Sequence, residues 1–333
     1  MEPQGALKPV LKSTDFQYGL NTGIKSVKMF PNGCLLYAPV FESQIGRYFD
    51  AYWCVSESFA NQCEVFFDRW IELGTMHDSK LNWLKKSPFW LNGRVRFSNR
   101  YLAIRSGTDP NYGNSGGNVA YCARHGGLAP LVLCDWNLEE KDPIKNTKAN
   151  LYDESTINPE ADKWAKEFSE IFDIQYEWVN LQDLEKASQE GVVQVYILAW
   201  YKNGDKYYSP QPGKSGHAIG FGQYSSITII DQYQPQFKQI RAVSDFYPIA
   251  LKINITEKSM EKPELKNNTL VQLVSGVGGF GMYLDGFIFV DDVAKILATW
   301  LVRTNGKTEG LIKPLIQEQW DMFEKKNLKD ELI

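Results

Sequence analysis

The amino-acid sequence predicts an α+β fold in which helices come first and strands follow. Residues 54 to 73 (CVSESFANQCEVFFDRWIEL) repeat Val55, Phe59, Cys63, Phe66 and Trp70 at helical spacing, which makes one face apolar. A second helical period, Trp164, Phe168, Ile171 and Phe172, runs over 159 to 172 after the start signal Asn158-Pro159. Beyond it the period changes. The runs at 191–200 (GVVQVYILAW), 217–222 (HAIGFG) and 226–231 (SITIID) are rich in β-branched and aromatic residues, with turn residues between them. Helices segregated from a later run of strands are the mark of α+β organisation.

The chain of 333 residues is longer than one typical domain, so two units are expected. The main domain is assigned to 1–255. A polar stretch at 256–268 (TEKSMEKPELKNN) has the composition of a linker. A small α+β domain is expected over 269–333. Its strands are TLVQLV, FGMYL and FIFV, with an Asp285-Gly286 turn, and its helix at 292–304 repeats Val293, Ile296, Leu297, Trp300 and Leu301. No catalytic constellation falls in it, and a docking partner for this domain is the expectation.

Composition excludes several classes of function. Hydrophobic residues make up 43% and charged residues 23%, enough apolar material for a sizeable core. The net charge is −4 and no basic run is present, so nucleic acid is not an expected partner. Nowhere do 18 uncharged apolar residues follow one another, and the first residues hold no apolar run of signal-peptide length. A membrane is therefore not expected as a partner, and a cytoplasmic location is, with virion association as a further option. Five irregularly spaced cysteines do not make a disulfide framework and fit a reducing compartment.

The chemistry centres on a thiol. A cysteine attacks a carbonyl as thiolate, and a helix N-terminus together with a neighbouring imidazolium lowers its pKa. Cys54 stands at the start of the first helical period, whereas Cys63 shares the apolar stripe with Phe59 and reads as core. The sequence offers three histidines. His77 lies in a polar loop and His125 at a helix C-terminus, contexts of solvated or capping residues. His217 opens a β segment after a glycine-rich loop, and Asp231 ends the next one. That spacing lets the two lie side by side, as a base and the acceptor that orients it.

The order of nucleophilic Cys, then His, then an orienting residue, with a large insertion between the first two, resembles the papain-like cysteine peptidases. Positions 54 and 217 are 163 residues apart, somewhat more than the ~130 to 150 of papain-type enzymes. The stretch RFSNRYLAIRSGTDPNYGNSGGNVAYCARHGGLAP is similar to the family's path from its second helix to a Gly-Gly segment. GHAIGFGQY and IIDQYQPQFK resemble the His strand and the Asn-Ser-Trp segment, particularly in divergent papain-like proteins of tailed bacteriophages, where an Asp-Ser-Tyr variant occurs. The resemblance covers about residues 30 to 250. It implies a two-lobed fold, a helical lobe plus an antiparallel β-barrel lobe, that hydrolyses peptide bonds of a peptide or protein substrate with no cofactor and no metal. By the same resemblance Gly116 and Gly117 let a substrate backbone approach, while Ser115, Trp53 and Tyr233 border the substrate. Gln44, ten residues before Cys54, is the counterpart of the oxyanion-hole glutamine.

Departures from the family pattern are informative. Ala-Tyr-Trp-Cys-Val replaces Cys-Gly-Ser-Cys-Trp around the nucleophile. Asp231 stands where asparagine is usual, and a carboxylate is expected to favour the imidazolium more than an amide does. About fifty residues precede Cys54, too few for a separate inhibitory prodomain, so control is expected elsewhere.

Competing motifs carry less. GNSGG at 113–117 satisfies the nucleophile-elbow pattern at Ser115, but a polar loop precedes it where a strand is required. GVGGFG at 276–281 is followed by a strand and lacks the helix that binds a pyrophosphate. Cys122 and His125 have metal-like spacing without a second pair. Trp83, Phe89 and Trp90 read as packing in preference to a docking surface. Two other functions stay open: a catalytically inactive papain-fold structural or binding protein such as a virion component, and a cysteine amidase acting on peptidoglycan peptides.

Overall fold

The computed structural model describes residues 5–9, 16–19, 28–198, 200–209 and 216–258. The terminal domain expected at 269–333 and the linker from residue 259 on lie outside the described residues. In chain order the elements are α1 (Cys54–Glu72), α2 (Asp78–Lys86), β1 (Trp90–Leu91), β2 (Arg94–Val95), α3 (Asn99–Arg105), α4 (Gly116–Gly126), α5 (Lys148–Leu151) and α6 (Pro159–Ile171). They are followed by β3 (Phe172–Asn180), α7 (Leu184–Glu190), β4 (Val192–Leu198), β5 (Tyr201–Asn203), β6 (Lys206–Tyr208), β7 (Gly216–Gln223), β8 (Thr228–Ile230), β9 (Phe237–Gln239) and β10 (Ile249–Glu257).

Several helices begin at an oxygen that accepts an otherwise unpaired first-turn N–H. The Ser98 hydroxyl accepts from the Tyr101 amide, the Ser115 hydroxyl from Asn118 and the Asn158 side chain from Glu160, with Pro159 in the first turn. α1 starts at Trp53 without such a cap.

Six strands pair antiparallel in the order β3-β10-β4-β7-β8-β9. The closed barrel of the sequence expectation is not seen: among the described residues β3 and β9 are the two ends of this sheet. Both faces of the middle strands are covered, which is why β4 (VVQVYIL) reads as a nearly continuous apolar run with no alternation. On one side α1 and α6 supply an aromatic cluster in which Phe67 lies 5.1 Å from Phe172 and 5.9 Å from Phe168 between ring centroids. Trp83 and Phe89 belong to this packing. Phe89 is fully buried, and the Trp83 indole lies 5.9 Å from Trp164 and donates to Glu167 at 2.8 Å. On the other side Leu184 and Ala187 of α7 cover Val193, Val195, Ile219 and Phe221.

Two contacts fix the start of α1 against the sheet. At Gly220 of β7 a Cβ would lie 1.9 Å from the Gln62 side-chain nitrogen, so α1 packs on β7 where there is no side chain in the way. From β4 the Gln194 amide donates to the Val55 carbonyl at 2.8 Å and to the Ser58 hydroxyl, while its own carbonyl accepts from Tyr196 at 2.6 Å. The helix N-terminus is thereby held beside the first residues of β7. No described helix is long and apolar enough to cross a membrane.

Candidate active site

Cys54 is the first residue of α1 and His217 the second of β7, and the packing of these elements brings them to one place. The backbone amide of Ala218, next to His217, hydrogen-bonds the Cys54 sulfur. His217 Nε2 lies 2.8 Å from Asp231 Oδ1, just beyond β8. A carboxylate oxygen only accepts, so Nε2 carries a proton and Nδ1 is the nitrogen left for another partner. Nδ1 is buried with no hydrogen-bond partner among the described residues. The imidazole is also held from the sides: its centroid lies 5.1 Å from the Trp200 ring and 5.0 Å from that of Tyr233, both edge-on.

Two charged residues that the sequence did not signal complete the cluster. Lys238 of β9 is buried and forms an ion pair with Asp231 Oδ2, and its ammonium also donates to the carbonyls of Tyr233 and of Pro235, the latter at 2.7 Å. Asp50 accepts from the Gln44 amide at 3.1 Å, from the Tyr52 backbone N–H at 3.0 Å and from the Tyr233 hydroxyl. Tyr52, at φ 56°, makes the turn into Trp53 and α1 in the left-handed region. Asp50 holds its amide, and the Lys148 ammonium stands 3.5 Å over its ring.

The electrostatics differ from what a helix N-terminus alone suggests. Burial pushes the Cys54 thiol well up, and the carboxyls of Asp50, Glu57 and Asp231 add to it, while the Ala218 amide pulls in the opposite direction. The lowering expected from the dipole is outweighed because the sulfur is completely shielded from water. Burial likewise raises Asp50 and Glu57 above the usual carboxylate range, against the hydrogen bonds from Tyr233 and Tyr52 in the case of Asp50. It lowers Lys238, against the pull of Asp231.

Residues 5–7 run against the elements that carry the site. The Ala6 N–H donates to the Gly216 carbonyl at 3.2 Å, the Leu7 N–H to the Asn114 carbonyl at 2.8 Å, and the Asn114 N–H to the Gly5 carbonyl at 2.9 Å. Ala6 and Asn114 thus form a parallel β-bridge. The approach is close enough that a Cβ on Gly216 would stand 2.1 Å from the Ala6 carbonyl oxygen, and one on Gly5 would stand 2.6 Å from that of Tyr52. The sequence reading expects control outside a separate prodomain. The structure shows a three-residue backbone contact that needs no domain and leaves no periodicity in the sequence.

Other residues nominated from the sequence take different places. Gln44 is fully buried, and its amide hydrogens go to Asp50 and to the Tyr233 hydroxyl, so in this structure it is not presented as an oxyanion donor. Trp53 is packed with Ala51, Ala103, Leu138 and Leu151, which makes it an interior residue in place of a substrate contact. Tyr233 faces inward, onto His217 and Asp50. Gly116 and Gly117 form the first turn of α4, and Gly116 is small because a Cβ would stand 1.7 Å from the Tyr196 hydroxyl. Backbone pairing occurs instead at Asn114, where the chain is still extended. Ser115 caps α4 and, with Gly117, Pro9, Tyr121 and Trp178, lines a cavity of about 680 Å³. Among the described residues no group of three or more His, Cys, Asp or Glu side chains is arranged to hold a metal ion.

No protein-family model matches the sequence, and no curated protein matches it. Solved structures do. Xylellain, a cysteine protease from Xylella fastidiosa, superposes with a TM-score of 0.51 at 13% identity, over 78% of this chain and 97% of that one. Procathepsin B S9 from Trypanosoma congolense (TM-score 0.44, 12% identity, 77% of this chain and 87% of that one) is a more distant match. So is the bromelain protease from Ananas comosus (0.40, 12%, 66% and 94%). At these identities the likeness speaks to architecture, and the superposition on xylellain shows that the chain has the fold of the papain-like cysteine proteases.

Proposed function

We propose that the protein is a cysteine peptidase that hydrolyses peptide bonds through a thioester on Cys54. The observation that carries this reading is the arrangement of His217, whose Nε2 is committed to Asp231 while its Nδ1 has no hydrogen-bond partner among the described residues, beside an α1 terminus whose Cys54 sulfur is bonded by the adjacent Ala218 amide. Nδ1 takes the Cys54 proton and the thiolate forms a bond to the peptide carbonyl carbon. The developing oxyanion is met by the Cys54 N–H, one of the first-turn amides without an intrahelical acceptor. The imidazolium then gives its proton to the leaving amine as the C–N bond breaks. In the second half Nδ1 takes a proton from water, the hydroxide adds to the thioester carbon, and the C–S bond breaks to restore the thiol. Asp231 fixes the ring tautomer throughout.

A peptide in place of residues 5–9 would use the Gly216 carbonyl and the backbone of Asn114, a mode in which main-chain bonds supply affinity and neighbouring cavities supply selectivity. Pro9 already stands in the cavity lined by Ser115 and Gly117, so a side chain a few residues from the reacting bond is read there.

A second reading, an inactive papain-fold binding protein or virion component, is favoured by the complete burial of Cys54 and its raised thiol. Labelling with an epoxysuccinyl thiol-peptidase inhibitor, mapped by mass spectrometry, separates the two. Modification of Cys54 that disappears in His217→Ala supports the peptidase. No modification after residues 1–9 are removed, or modification independent of His217, supports the inactive scaffold. A labelled enzyme that cleaves cell-wall peptides and spares proteins would be the amidase.

A further inference from the structure

Lys238 is buried between a carboxylate, two carbonyls and two aromatic rings. Its ammonium pairs with Asp231 Oδ2, donates to the carbonyls of Tyr233 and Pro235, and lies 4.8 Å from the centroid of Trp200 and 5.6 Å from that of Tyr207. An ammonium has three N–H donors, and all three are used. The other oxygen of the same carboxylate receives His217 Nε2–H. Asp231 is therefore shared between the Lys238 ammonium on one side and the imidazole on the other, with its own charge already matched before His217 takes a proton.

From this we infer that Lys238 is a positioning residue for the base: with Asp231 it forms a net-neutral acceptor that orients His217 as an uncharged amide would, without holding it as imidazolium. The sequence expectation, that a carboxylate in place of asparagine favours the imidazolium more strongly, considered Asp231 alone. The inference rests on His217 being the base.

An unmatched buried anion within hydrogen-bond distance raises a neighbouring imidazole pKa by about one to three units, and an unmatched cation lowers it. The other groups facing His217 are Cys54 and Glu57 from α1, Asp50 from the turn before it, and the Tyr233 hydroxyl beyond β8. These are common to all the variants below and drop out of the comparison.

The test is the titration of His217 by NMR in the full-length chain, its resonance assigned against His217→Gln. Lys238→Met is expected to raise the His217 pKa by about one unit or more, Asp231→Asn to lower it, and the double variant Asp231→Asn with Lys238→Met to return it to within about 0.3 of the parent. If Lys238→Met does not fold, Asp231→Asn and the double variant still decide the matter, since they differ only in the ammonium. Equal His217 values in those two, or an unshifted value in a folded Lys238→Met, overturn the proposal. No turnover is required. A chain that shows these shifts and cleaves nothing would refute the peptidase and leave the charge coupling standing.

Discussion

The Ala6 N–H donates to the Gly216 carbonyl, one residue before His217, across 3.2 Å. With the two bonds between Asn114 and Gly5 and Leu7, it lays residues 5–7 along the first residue of β7 and the start of α4. Each such bond is worth on the order of 1 kcal/mol net. Ala6→Pro, which removes one donor, is expected to speed inhibitor labelling of Cys54 about fivefold, and removal of residues 1–9 by up to about a hundredfold. Unchanged labelling rates in both would show that the segment does not guard the thiol.

Burial of the thiol sets a pH response. Because burial raises the Cys54 thiol, the thiolate fraction at neutral pH is small and alkylation should accelerate with increasing pH. Taking away residues 1–9 readmits water and favours the charged form, so the profile should move to lower pH. A profile that stays in place, measured with iodoacetamide on both chains, would assign the shift to the carboxyls around Cys54 in place of its burial.

Glu57 lies fully buried in the first turn of α1, and among the described residues no Lys or Arg forms an ion pair with it. Its folded value lies well above the ordinary 4.5, so between those two values the folded state binds one more proton than the unfolded one. Its contribution is complete below 4.5 and declines by about 1.4 kcal/mol per pH unit until the raised value is passed. Glu57→Gln is expected to flatten this decline and to be the more stable protein at pH 8 to 9 by urea unfolding. Parallel pH curves for parent and variant would count against a protonated Glu57.

Gln194→Leu should be among the costlier single changes. It leaves the Tyr196 hydroxyl buried without its acceptor, at about 1–3 kcal/mol, and removes one of the donors to the Val55 carbonyl, which keeps the Ser58 hydroxyl. Denaturant midpoints measure this. Because Val55 follows Cys54, labelling at Cys54 should fall in the same variant even where it is fully folded.

Much of the architecture was legible because periodicity records burial. The apolar stripe of 54–73 and the β-branched run of 191–200 appear as α1 and β4, and the start of one helix and of one strand placed Cys54 and His217 at element ends. Lys238 was not legible, since the strand FKQ inverts the usual rule: Phe237 is exposed and Lys238 is buried, and only Asp231, two carbonyls and two rings from elsewhere explain it. Asp50 was missed for a similar reason, as its partners Gln44, Tyr52 and Tyr233 converge only in three dimensions. The cover by residues 5–9 is made through main-chain atoms, which every sequence possesses. The packing role of Gly116 was not legible because a glycine that admits a tyrosine hydroxyl looks the same in sequence as one that admits a substrate.

The distance along the chain between the thiol and its partners has a consequence for synthesis. Cys54 leaves the ribosome 177 residues before Asp231, roughly 9 to 35 s earlier at ordinary elongation rates. For most of that interval α1 has no β7 to meet, because His217 itself follows Cys54 by 163 residues. Ala6 and Leu7 are made before either, so the segment that bonds Gly216 and Asn114 is on hand when β7 first closes onto α1. The order of synthesis thus supplies this backbone partner ahead of the strand it meets.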